Sequence, residues 1–139
     1  MLKIIFILLL FLFSCNSIEE NNEFDYYNEI QTKLIMAKSG DVIILPKGII
    51  SLNRSLWVDG LENIIIAGHG IDNTIISFKN QIEGSEGLKI INSKNITLKN
   101  FTIEDSKGDL IKVENTSEIN FLNIKAQWNG RPKEENGAY

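Results

Sequence analysis

The apolar residues of the C-terminal half fall in short alternating runs. Ile96-Thr97-Leu98 and Ile119-Asn120-Phe121 place apolar side chains at every second position, the period of a strand with one buried face. No helical period appears between residues 92 and 127. Instead the segment repeats itself. A shift of 23 residues lays Asn92 on Asn115, Ser93 on Thr116, Ile96 on Ile119, Leu98 on Phe121, Asn100 on Asn123 and Phe101 on Ile124. Upstream, the same shift lays Leu88 on Ile111 and Ile90 on Val113. Self-similarity at this period predicts a solenoid, in which a unit hides its apolar face only when neighbours stack on it. The run lengths predict three short strands per turn.

An earlier copy lies at a longer distance. "NIIIAGHGI" (Asn63 to Ile71) fits "NITLKNFTI" (Asn95 to Ile103) with a shift of 32, and the extra length belongs to residues 72–87, which hold one more strand candidate, Thr74 to Phe78. In this alignment Gly68 stands where the later copies have Asn100 and Asn123. Glycine and asparagine enter the left-handed region at least cost, so these positions are predicted to be tight bends. Stacked asparagines are expected to bond along the solenoid axis and to satisfy amides that would otherwise be buried without partners.

Ahead of the repeats the period changes. Tyr27, Ile30, Leu34 and Ala37 share one face of a helix over residues 25–38, which Asp25 can start and Gly40 can end. A solenoid exposes a cross-section of its core at each end, and a helix just before the first strand is placed to cover it. Strands are expected at Val42 to Leu45, Ile49 to Leu52 and Leu56 to Val58, with a turn at Pro46 to Gly48 and a break at Asp59-Gly60.

The first residues, "MLKIIFILLLFLFSCNS", carry Lys3, an apolar run from Ile4 to Phe13, and the chain's single cysteine, Cys15. The run is too short to span a bilayer, which takes roughly 20 residues. It suits a signal peptide over residues 1–14. "LFSC" resembles the lipobox of bacterial lipoproteins, which implies lipidation at Cys15, export, and a lipid anchor in the bacterial cell envelope. Residues 15–23 then read as a polar tether and residues 24–139 as the folded domain. Across the whole chain 43% hydrophobic and 23% charged residues allow a core, and a net charge of -4 with no Lys/Arg cluster argues against a nucleic-acid partner.

"AKSGDVIILPKGIISL" followed by "ENIIIAGHGIDNTIISF" resembles the opening of right-handed parallel β-helix proteins of the pectin-lyase-like superfamily. "EGLKI", "SKGDLIKVEN" and "NGAY" are similar to a narrower group of bacterial parallel β-helix domain-containing proteins. The resemblance implies an all-β, right-handed parallel β-helix of roughly three to four coils with an N-terminal capping α-helix. Members of the superfamily act on acidic polysaccharide as lyases, hydrolases or epimerases, or serve as adhesins and coil proteins without activity. They continue for more coils than this sequence holds, which implies an incomplete solenoid, open at its C-terminal coil and prone to self-association.

Candidate chemistry is sparse. Glu104, Asp105 and Asp109, with Lys107 between them, form the densest carboxylate group. The segment reads first as a solvated turn, and alternatively as the beginning of a lyase site, with a basic side chain as proton acceptor and Ca²⁺ only if the protein is lyase-like. His69, between two glycines, reads as an exposed turn residue. Trp128 reads as packing over the end of the core. In the alternative, Trp128 or Tyr139 stacks on a sugar ring while Arg131 holds a carboxylate. No transition-metal or nucleotide motif is present, and no cofactor is evident. Two functions follow: an envelope-tethered enzyme on acidic polysaccharide, or a non-enzymatic surface binding or structural module.

Overall fold

The computed structural model describes residues 25–129. One helix, α1 (Tyr26–Met36), precedes nine strands: β1 (Val42–Ile44), β2 (Gly48–Ser51), β3 (Arg54–Asp59), β4 (Glu62–Ala67), β5 (Thr74–Ser77), β6 (Glu83–Ile91), β7 (Lys94–Glu104), β8 (Ile111–Glu114) and β9 (Ser117–Gln127). All pairings are parallel. The chain winds as a parallel β-helix of about three turns. The first half of β7 follows β1 and β4 on one face, and its second half follows β2 and β5 on the next. A third face is the sheet β3-β6-β8.

The registers match the repeats in the sequence. Ile64 pairs with Ile96, and Ile96 with Ile119; Leu56 pairs with Leu88, and Leu88 with Ile111. Inward-pointing Ile50, Val58, Phe78, Ile90, Ile96, Leu98, Phe101 and Ile103 are completely buried. They form one continuous core, as stacked alternating strands must.

Columns of left-handed residues turn the corners. Asn63, Asn95 and Glu118 share one column, with φ of 55°, 51° and 59°, and Asn92 and Asn115 share a second, with φ of 50° and 45°. Asn100 and Asn123 form the third, at 60° and 55°. Amides bond along the axis: Asn95 Nδ2 donates to Asn63 Oδ1 at 2.8 Å, Asn115 Nδ2 to Asn92 Oδ1 at 2.7 Å and Asn123 Nδ2 to Asn100 Oδ1 at 3.1 Å. These ladders lie at the surface, so the expectation of buried amides is corrected: asparagine is needed for its backbone conformation more than to satisfy a buried group. Gly68 is a second correction. It is not among the left-handed residues, and a Cβ there would lie 2.3 Å from the Asn100 carbonyl oxygen. Close approach of the next coil, not a positive φ, requires glycine.

The cap helix forms where its apolar period places it. Asp25 accepts the Asn28 N–H at 3.0 Å, the expected start, whereas the helix ends at Met36 with Ala37 as its cap. Gly40 does not stop it. With φ 96° it opens the first bend, donating its N–H to the Asn63 carbonyl at 3.0 Å. Ile30 and Leu34 are buried on the core. Gln31 was not visible as a cap residue. Its Nε2 donates to the Trp57 carbonyl at 3.0 Å and its Oε1 accepts the Trp57 N–H at 2.9 Å. The side-chain amide thus imitates a neighbouring strand and satisfies part of the edge that the first coil would expose.

Candidate functional site

The carboxylate group of residues 104–109 is not a solvated turn. Glu104 is 9% exposed and Asp105 2%, and Ser106 is fully buried. β9 lies along this corner and covers it. Glu104 Oε2 accepts Gln127 Nε2 at 3.0 Å and Asn129 Nδ2 at 3.2 Å, Asp105 Oδ1 accepts the Asn129 N–H at 2.6 Å, and the Ser106 carbonyl accepts Trp128 Nε1 at 3.0 Å. These groups latch the end of β9 to the coil before it. Lys107 turns inward only through its backbone, donating N–H to Gln81 Oε1 at 3.0 Å, while Asp109 is exposed.

Turn chemistry in the sequence concealed this because burial comes from residues more than 20 positions away. Glu104 Oε2 and Asp105 Oδ1 face amide donors, and among the described residues no three His, Cys, Asp or Glu side chains are grouped to hold an ion. His69 is exposed in its turn, as expected. Trp128 is 42% exposed and tied by its indole N–H, so it does not pack over the end of the core. Cys15, Arg131 and Tyr139 lie outside the described residues.

The functional groups that do converge lie on the outer side of β3, β6 and β8. Register places Trp57 beside Lys89 and Lys89 beside Lys112. Trp57 is 42% exposed, with Lys89 Nζ 5.0 Å from the centre of its ring. Lys89 pairs with Glu114 at 3.5 Å, and Lys112 with Glu114 at 3.3 Å and Glu86 at 3.5 Å. The Gln31 amide holds the Trp57 backbone at the edge of this sheet. None of these residues stands out in its own segment. The signal was nevertheless present: the shifts of 32 and 23 residues that align the apolar positions also carry Trp57 to Lys89 and Lys89 to Lys112.

The charges on this face hold one another ionised. The bond to Glu114 raises the Lys112 ammonium above its ordinary value, with Glu86 adding to it. Glu114 is lowered chiefly by the same bond, with burial opposing and Lys89 assisting. For Glu86, burial pushes upward, but bonds from its own backbone, Ser85 and Lys112 outweigh it and leave the group below its ordinary value. A lysine held protonated is a poor general base. What the face offers instead is a part-exposed aromatic ring with Lys89 set against it, beside a network of paired charges.

No family model, no curated protein and no solved structure matches this chain.

Proposed function

We propose that the protein is a non-enzymatic, glycan-binding β-helix, exported and lipid-anchored to the cell envelope through Cys15, with the β3-β6-β8 face as its contact surface. The observation that carries the reading is the Trp57–Lys89–Lys112 column, flanked by Glu86 and Glu114. The resemblance to the pectin-lyase-like superfamily supports a glycan as the ligand. The "LFSC" segment supports the anchor. A lyase or epimerase would need a proton acceptor near neutral pH, and Lys112 is shifted the opposite way. The buried Glu104 and Asp105 are engaged in holding β9.

Two measurements test this. Affinity electrophoresis through gels containing a neutral or a uronate polysaccharide should retard the protein. Trp57→Ala should weaken that retardation about two- to tenfold, since an aromatic contact is worth roughly 0.5–1.5 kcal/mol beyond area burial. Unchanged retardation refutes the face as the site, and release of an unsaturated uronate product would establish a lyase. For the anchor, Cys15→Ser should move the protein out of the detergent-soluble membrane fraction. Retention there would exclude lipidation as the attachment.

A further inference from the structure

A second cleft lies where the start of α1 meets the corner between β2 and β3, about 390 Å³ in volume and lined mainly by Tyr26, Tyr27, Ser51, Asn53, Arg54 and Asn80. We infer that it binds one neutral, polyhydroxylated sugar unit, at a site separate from the Trp57 face.

The charges around the cleft are already answered. Arg54 lies 4.8 Å over the Tyr27 ring, its NH1 stands 3.8 Å from Glu83 Oε2, and its Nε donates to Asn53 Oδ1 at 3.4 Å. At the rim Asp25 caps α1. The cleft therefore presents no net positive field that would select a uronate or phosphate. Its open groups include two neutral ones besides the remaining Arg54 N–H donors. Among the described residues, neither the Ser51 hydroxyl nor the Asn80 amide has a protein hydrogen-bond partner. Each can donate and accept, which is the pairing that adjacent sugar hydroxyls require.

The backbone beside them is held in place. The Asn53 carbonyl accepts the N–H groups of Ile82 and Glu83 at 2.7 and 3.1 Å, and Gln81 N–H closes on the Phe78 carbonyl at 2.9 Å, fixing the turn that presents Asn80. The site is polar and aromatic, with its backbone ordered before any ligand arrives, so little ordering cost attends binding. Arg54 and Trp57 are three residues apart on one strand, roughly 10 Å at strand rise. A ligand in the cleft is therefore distinct from one centred on Trp57.

The test is an amide NMR titration of the protein in mild detergent with four probes: glucose-, mannose- and galactose-based neutral tetrasaccharides, and tetragalacturonate. At least one neutral probe should shift the amides of Ser51, Asn53 and Asn80. The double variant Ser51→Ala/Asn80→Ala should weaken that binding about tenfold or more, as expected for the loss of two hydrogen bonds. Both positions are exposed, so the fold should persist. Trp57→Ala should leave the shifts in the cleft unchanged. Loss of binding in Trp57→Ala with these shifts retained would affect only the face proposed above. No shift with any neutral probe, or shifts from tetragalacturonate alone, overturns the inference.

Discussion

Replacing Gln81 by Leu is expected to lower stability by about 3 kcal/mol, the combined cost of leaving two or more buried polar groups unpaired. Gln81 is 3% exposed and ties three coils together. Its Nε2 lies 2.8 Å from the Glu86 carbonyl, 3.3 Å from the Glu83 carbonyl and 3.2 Å from Ser55 Oγ, and its Oε1 accepts the Lys107 N–H at 3.0 Å. Leucine keeps the volume and removes all of these bonds. A fold of this size has about 5–15 kcal/mol in total, so the loss should appear as a fall in melting temperature of roughly 12–20 °C. Gln81→Glu should fare no better, because a carboxylate cannot donate to the two carbonyls. A shift of only a few degrees in Gln81→Leu would mean that water replaces the amide and that the corner is not dry.

The second large effect concerns β9. Ile119, Phe121 and Ile124 stack on Ile96, Leu98 and Phe101, which are completely buried, yet Phe121 itself is 50% exposed. Among the described residues no strand pairs with the far edge of β9. Open strand edges with an apolar row invite pairing with another chain. The protein is therefore expected to sediment as a dimer or larger species at rising concentration. Phe121→Lys, a charge turned toward the core at an edge, should return it to a monomer at a cost of several degrees in melting temperature, since half of the Phe121 surface is buried. A wild-type chain that stays monomeric across the range would remove self-association through this end.

Much of the fold was legible because a solenoid writes its geometry into the chain one coil at a time. The shifts of 23 and 32 residues reappear as the registers of β7 with β9 and of β4 with β7. From Leu56, Leu88 and Ile111 on the third face, the chain reaches Ile64, Ile96 and Ile119 on the first after the same eight residues in every coil. That regularity made Asn100 and Asn123 stand out as corners, while the column of Asn63, Asn95 and Glu118 appeared only in the structure. The region of residues 72–87 breaks it: the strand expected at Thr74 to Phe78 forms as β5, but the rest of that length carried no repeat to read. Part of that length extends β6 back to Glu83, and part forms the turn that carries Gln81.

The candidate sites separate the two levels most clearly. Glu104 and Asp105 look like a solvated turn beside Lys107 and Gly108 in sequence, and only β9 lying over them makes them buried latches. Gly68 looks like a bend, and only the carbonyl of Asn100 in the next coil shows that it is a contact. Gln31 and Gln81 carry no local mark, since a glutamine's role depends on which backbone groups reach it. Periodicity by itself determined strand spacing, core columns, the cap helix and the Asn100–Asn123 corner, because each follows from local alternation and backbone preference. Burial of polar groups and the outward array of Trp57, Lys89 and Lys112 were decided by the tertiary structure, because the partners that bury or align a side chain come from adjacent coils.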